Sequence, residues 1–252
     1  RKKSVVIVAT SNEPALNRGK GAFRAMAIAE YFRDAVQNVL LMMDSLTRLA
    51  QAQRQIGLAA KEPPVTKGLP PSVFSIIPEI LERAGKTPNG SITAFYTVLV
   101  EGDDFNEPIP DCVKGITDGH IWLNRSLANR GHFPAIDPIQ SISRVRGDVA
   151  EKAHQNAARR VLGLYAIYLD IEDLVNIGAY VPGANLEFDL AVQARPKIVQ
   201  YLQQESKSPS NLEQAKKELM ELVAWIDLAE KNIKGQAAAK GQPRPPGGGA
   251  VR

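Results

Sequence analysis

The sequence holds a single cysteine, Cys112, and no apolar run long enough to cross a membrane. A lone thiol excludes an internal disulfide framework and suits a reducing compartment. With no base paired to it, Cys112 reads as a small buried hydrophobe rather than a nucleophile. A spanning helix needs about 20 apolar residues, and the chain also lacks a secretory signal pattern, so a cytoplasmic location is expected. Acid is missing from one end. Lys231 to Arg252 carries five Lys or Arg and no Asp or Glu, which leaves 26 basic against 27 acidic residues before that point. The net charge of +4 therefore belongs to a tail rather than to a basic face, and nucleic acid is not indicated as a partner. That tail, 234–252, ends in Pro243-Arg244-Pro245-Pro246-Gly247-Gly248-Gly249, a composition that forms no core, and it is expected to be disordered.

Also missing is any Gly-x-x-x-x-Gly-Lys-Ser/Thr phosphate loop. Arg18-Gly19-Lys20-Gly21 has the ingredients without the spacing or the preceding strand. If the chain is a nucleotide-hydrolysing domain, its phosphate loop is expected upstream of Arg1. His120, His132 and His154 have no metal-ligand spacing, and no nucleophile elbow supports Ser-His-Asp chemistry.

What is present begins with Val39-Leu40-Leu41-Met42-Met43-Asp44-Ser45-Leu46-Thr47-Arg48, an apolar run closed by a carboxylate, hydroxyls and a guanidinium. It reads as a buried strand delivering Asp44 to a sheet edge, the place where a parallel α/β sheet binds ligands and where an acid can hold Mg²⁺. Asp also caps helices, so on the residues alone both roles stand. Upstream, Ser4–Thr10 reads as a second strand and Leu16 to Asp34 as a helix, together a βαβ unit. A helix is expected from Pro71 through Phe74, Ile77, Ile80 and Leu81 to a stop at Gly85, then a strand over Gly90–Val100 leading into the acidic loop Glu101–Pro108. A short strand follows at His120–Leu123. Phe133, stiffened by Pro134, could stack on a base, and Arg144 ends an apolar-hydroxyl alternation; core and plain surface are the alternatives.

From about Gly147 the chain reads as helical: Asp148–Leu169, Ile171–Ile177 and Asn185–Gln204. Leu212, Ala215, Leu219, Leu222, Ile226, Ala229 and Ile233 then form a three-four seam. Packing against its own domain is favoured over a coiled-coil partner, since helices this short need tertiary support.

Several motifs, in order, carry a resemblance: Thr10-Ser11-Asn12-Glu13-Pro14, Ala29-Glu30-Tyr31-Phe32-Arg33-Asp34, Leu40-Leu41-Met42-Met43-Asp44-Ser45, Gln53-Arg54, Pro70-Pro71-Ser72-Val73-Phe74, Leu81-Glu82-Arg83-Ala84-Gly85, Thr97-Val98-Leu99-Val100-Glu101-Gly102-Asp103-Asp104, Asp118-Gly119-His120-Ile121 and Ser141-Ile142-Ser143-Arg144-Val145. Together they resemble the flagellar and type III secretion ATPase family, itself similar to the catalytic subunits of rotary ATP synthases. Ile177-Gly178-Ala179-Tyr180 and Tyr201-Leu202-Gln203-Gln204 extend the likeness into that family's C-terminal domain.

The resemblance implies an α/β fold: a partial RecA-like P-loop NTPase core over 1–147, with a mostly parallel sheet flanked by helices, then an all-α domain over 148–233. It implies ATP and Mg²⁺ as ligands and hydrolysis at the subunit interfaces of a homo-hexamer. By the same resemblance Asp44 matches the Walker B acid that positions Mg²⁺. Arg48, four residues and one helical turn beyond Asp44, is placed to order the phosphate end of that site, with a structural ion pair as the equal alternative. Arg144 matches an arginine finger supplied to the neighbouring subunit, and Phe133 the aromatic, commonly Tyr, that stacks on adenine. The Walker A Lys and Thr and the general-base Glu have no counterpart in these residues, so the 252 residues by themselves are expected to be inactive. Implied partners are stalk and regulator subunits, exported proteins and chaperones, with peripheral association at the inner membrane.

Three residues depart from the family pattern. Gln55 stands where Glu is usual, Arg146 where Met is common, and Arg24 where a small or hydroxylated residue is preferred. Two function classes follow: a protein-export ATPase, flagellar before injectisome, or a non-catalytic ring scaffold. Joint retention of Asp44 and Arg144 favours the enzyme.

Overall fold

The computed structural model describes residues 3–100, 102, 104 and 106–241. The chain divides after Thr117 into two compact units, Arg1–Thr117 and Asp118–Arg252. The first unit holds α1 (Ala15–Asp34), β1 (Asn38–Met43), α2 (Leu46–Ala59), α3 (Pro71–Leu81), β2 (Gly85–Lys86), β3 (Ser91–Tyr96) and α4 (Pro108–Ile116). Its sheet runs β1-β3-β2, with β1 parallel to β3 and β2 antiparallel to β3.

One sheet face is closed. Val39, Leu41, Met43, Ile92 and Ala94 pack with Met26 of α1, Leu46 and Leu49 of α2, and Val73, Ile77 and Ile80 of α3. The period-two alternation of the strands puts Leu40, Met42 and Phe95 on the other face, where all three are exposed. Two family motifs meet across this unit: Arg83 donates through Nε and Nη2 to both carboxylate oxygens of Glu30, at 2.8 and 2.6 Å. That pair holds the Glu30 carboxyl below its ordinary value. Gly90 sits where only a glycine fits, because a Cβ there would lie 2.4 Å from the carbonyl oxygen of Arg33.

Ser4–Thr10 is not a strand. It forms no ladder, and Val5, Val6 and Val8 are exposed. Composition supplies β propensity, but a strand exists only where a neighbour's backbone completes its hydrogen bonds. The strand expected to run to Val100 stops at Tyr96 because Thr97 and Leu99 turn aside to bind the start of α2. Gly85 begins β2 rather than stopping α3, which ends at Leu81. In the acidic loop, Glu101, Asp103 and Phe105 lie outside the described residues.

The second unit opens with an antiparallel pair, β4 (Gly119–Leu123) and β5 (Ile136–Ser143), joined through the short α5 (Arg125–Asn129). After α6 (Arg146–Val149) come α7 (Lys152–Asn176), α8 (Leu186–Leu202) and α9 (Leu212–Gly241). The two helices expected over 148–177 are one, since Leu164, Tyr168 and Ile171 keep a continuous buried stripe through Asp170. Asn185 caps α8, its side-chain oxygen accepting from the N–H groups of Glu187 and Phe188. The three-four seam of α9 is spent inside the unit: Leu219, Leu222, Ile226 and Ala229 are buried with Val161, Leu164 and Tyr168 of α7 and Leu190, Ala194 and Ile198 of α8. Arg160 of α7 pairs with Glu230 of α9.

The tail expected from 234 starts later than its charge suggested, because α9 continues through 234–241. Gln236-Ala237-Ala238-Ala239-Lys240 is a run of strong helix formers. The rest of that tail lies outside the described residues. No helix among those described is long and apolar enough to cross a membrane. Cys112 is half-buried against the first core and its thiol is pushed up by burial, as suits an unreactive side chain.

Candidate nucleotide site

The site grows from strand register. Met43 of β1 pairs with Tyr96 of β3 in parallel, so the next residue of each chain emerges on the same sheet edge. Thr97 therefore lies beside Asp44 and donates its hydroxyl to Asp44 Oδ1 at 2.8 Å. The backbone closes the same junction: Thr97 N–H donates to the Met43 carbonyl at 3.1 Å and Leu46 N–H to the Thr97 carbonyl at 3.0 Å. The Asp44–Ser45 peptide is cis.

The two roles open to Asp44 separate here. Ser45, buried, caps α2, its Oγ accepting from Arg48 N–H at 3.3 Å. Asp44 is thus released from capping, and its Oδ2 has no hydrogen-bond partner among the described residues. Arg48, in the first turn of α2, is exposed and has no ion pair among the described residues.

Asp44, Ser45 and Arg48 share a cavity of about 150 Å³ with Ser11, Arg18, Gly21, Met42 and Met43. Close approach at Gly21 shapes it, since a Cβ there would meet the Ala9 side chain at 3.3 Å. The donor set fits a Mg²⁺–polyphosphate. One carboxylate with an uncommitted oxygen suits an ion that keeps most of its waters and takes phosphate oxygens. Two guanidiniums and two hydroxyls suit the phosphates. Among the described residues no group of three or more His, Cys, Asp or Glu gathers as a metal cage. A larger, open groove of about 420 Å³ runs along α7 past Arg159, Arg160 and Ile167, and holds none of the expected site residues.

Phe133 and Arg144 belong to the second unit. Phe133 is 57% exposed and its carbonyl accepts from Gln204 N–H, just past α8, at 2.9 Å. His132 beside it is buried, its Nε2 has no hydrogen-bond partner among the described residues, and burial, with Arg195 adding to it, pushes the imidazole below its ordinary value. Arg144 follows β5, exposed, with its N–H donating to the Asp118 carbonyl at 2.7 Å. Gly119 permits that closure, because a Cβ there would lie 2.3 Å from the Ile142 carbonyl oxygen. Arg146 opens α6 and is exposed.

Two members of the cavity region were missed by sequence reasoning. Thr97 was signalled by the parallel pairing, which sets the ends of β1 and β3 level. Arg18 carried no such signal, because it lies on a helix and points to the site only once α1 packs on α2.

The nucleotide-binding domain of the ATP synthase alpha/beta family matches residues 1–143, and the C-terminal domain of the type III secretion ATPase EscN matches residues 150–221. The flagellum-specific ATP synthase of Bacillus subtilis is 56% identical over 214 residues, covering 85% of this chain and 49% of that protein. The type 3 secretion system ATPase of Pseudomonas syringae is 47% identical over 226 residues, 90% of this chain and 50% of that one. Among solved structures, assembled EscN of the enteropathogenic E. coli type III secretion system superposes with a TM-score of 0.83 at 51% identity, over 86% of this chain and 52% of that one. EscN in complex with its central stalk EscO gives 0.79 at 50% identity, over 86% and 52%. The chain thus spans about half the length of the relatives it matches. With more than half of its residues matched by that family's nucleotide-binding domain and flagellar and secretion ATPases near 50% identity, the chain belongs to the ATP synthase alpha/beta family.

Proposed function

We propose that this chain supplies the Mg²⁺-binding edge, the arginine finger and the C-terminal domain of a protein-export ATPase of the flagellar type III secretion apparatus. The observation that carries the reading is the cavity at the carboxyl end of β1, where Asp44 keeps one carboxylate oxygen without a hydrogen bond and Arg48 makes no ion pair among the described residues. Flagellar relatives at 56% and 45% identity bracket secretion ATPases at 47% and 51%, and the flagellar assignment is the preferred reading of the two.

In this reading residues 1–147 form the RecA-like part and 148–233 the helical C-terminal domain. Asp44, its carboxylate steadied by the Thr97 hydroxyl, would hold Mg²⁺, and the ion would supply neutralisation of phosphate charge. Arg48 binds phosphate oxygens from the first turn of α2. Phe133 offers an exposed ring for adenine, and Arg144, exposed at the end of β5, serves the neighbouring subunit's γ-phosphate in a homo-hexamer. The stalk seen with EscN supports a stalk subunit as a partner, and the reading extends to regulators, chaperones and exported proteins at the cytoplasmic face of the inner membrane.

The test joins the N-terminal half of the Bacillus subtilis relative to this chain and measures phosphate release. Asp44→Asn and Arg144→Ala should each lower turnover by roughly 10³-fold or more. Mixed rings of the two variants should regain activity, because a finger in trans can complete a neighbour's intact Asp44. Full turnover by the Asp44→Asn chimera would remove the metal role. The 252 residues alone carry no Walker A motif and are expected to show no micromolar ATP binding.

A further inference from the structure

On α2, Arg48, Ala52 and Gln55 are spaced i, i+4, i+7 and lie on one stripe. Ala52 is fully buried, and α2 packs against both α1 and α3. Arg18, at the start of α1, reaches across to the far end of the stripe: its Nη2 donates to Gln55 Oε1 at 2.7 Å. The rest of the guanidinium is not so engaged. Arg18 Nε is buried without a hydrogen-bond partner, and Arg18 makes no ion pair among the described residues. The same residue lines the cavity with Asp44, Ser45 and Arg48.

A buried guanidinium N–H without an acceptor is costly and marks a place for one. A neutral amide oxygen can steer Arg18 without cancelling its charge, which a carboxylate at the same position would do. The cavity therefore contains two unneutralised cations against one carboxylate, an excess that favours an anionic ligand.

We propose that Arg18 is a second phosphate-binding cation of this cavity, and that Gln55 is the residue that positions it while leaving its charge available. The inference rests on the reading of the Asp44 cavity as a polyphosphate site. It goes beyond that reading by adding a residue on a different helix and by making residue 55 the determinant of anion affinity. Gln and Glu are close in size, so Gln55→Glu converts a steering contact into an ion pair with little change in volume.

The experiment uses the 252-residue chain and tripolyphosphate with Mg²⁺, followed by arginine Nε–H resonances in ¹⁵N NMR. In the unsubstituted protein both Arg18 and Arg48 signals should move together at millimolar ligand. Gln55→Glu should weaken the apparent affinity roughly tenfold and suppress the Arg18 shift while Arg48 still responds. Arg18→Lys should stay within about threefold of the parent, whereas Arg18→Gln should match Gln55→Glu. That pattern distinguishes a charge that meets ligand from a helix-to-helix strut, because Lys keeps the charge and loses the guanidinium fork. Movement of Arg48 without Arg18, or equal affinity in the Gln55→Glu protein, overturns the role of Arg18 and leaves the site reading standing. Silence at both arginines overturns the site reading and this inference with it.

Discussion

In the unit Arg1–Thr117, Asp44 is held by parallel strand register and by the Thr97 hydroxyl, and its cavity is lined from that unit alone. In the unit Asp118–Arg252, Phe133 and Arg144 stand exposed, with the Phe133 carbonyl accepting from Gln204 N–H and the Arg144 N–H donating to the Asp118 carbonyl. The contrast extends to the cores. The three long helices of the second unit bury the seam of α9 between them, whereas the sheet of the first unit covers one face and leaves Leu40, Met42 and Phe95 bare on the other. Under the proposed function the contrast has a reason: a metal-binding carboxylate needs fixed geometry, which register supplies, and a finger or stacking ring that serves a separate molecule needs reach, which exposure supplies.

The largest test of this comparison is a paired truncation in the two cores. Ile77 and Ile226 are both fully buried, and Ile→Ala at either should cost about 2–5 kcal/mol. Both tryptophans, Trp122 and Trp225, lie in the second unit, so fluorescence-detected denaturation should shift for Ile226→Ala and stay near the parent for Ile77→Ala. Equal shifts would mean that the units unfold as one.

Acid should separate the units next. Glu30 is held below its ordinary 4.5, chiefly by its hydrogen bonds with Arg83. Its contribution is therefore complete above about 4.5 and is lost as pH falls below that value. His132 is held below its ordinary 6.5 by burial and then by Arg195. The unfolded chain takes up that proton first, so stability is complete above about 6.5 and declines as pH falls through the region below. Tryptophan-detected stability of the second unit should therefore begin to fall at a higher pH than the first unit's, and His132→Gln should flatten the upper part of that decline. An unchanged profile in His132→Gln would remove the imidazole as its cause.

The smallest expected effect concerns the two faces of β1. Leu40→Ala, at an exposed position, should change the stability of this chain by no more than about 0.5 kcal/mol. Leu41→Ala, packed against the first core, should cost more, about 1–2 kcal/mol for a partly buried leucine. Chemical denaturation of the two variants reads the difference directly, and equal costs would show that the bare face is covered in solution.

Much of this was legible in the residues. Asp44 at the tip of β1, the helix from Pro71 and the self-packed seam of α9 follow from apolar period, a Pro start and three-four spacing, all of which are local. Ser4–Thr10 was not, because its composition matches a strand and only a paired neighbour makes one. The break expected near Asp170 was not either, because packing on α8 and α9 carries one helix through it.

By itself the sequence determined most element types and the family motifs, and it named the residues proposed to bind Mg²⁺ and phosphate, since these depend on side-chain chemistry and short-range periodicity. Only the tertiary structure decided that Ser45 rather than Asp44 caps α2, that Thr97 steadies the carboxylate, and that Arg18 reaches Gln55 beside the same cavity. Those contacts join Asp44 to Thr97 and Arg18 to Gln55, residues far apart in the chain. Their meeting is set by strand register and helix packing, which no local stretch of sequence contains.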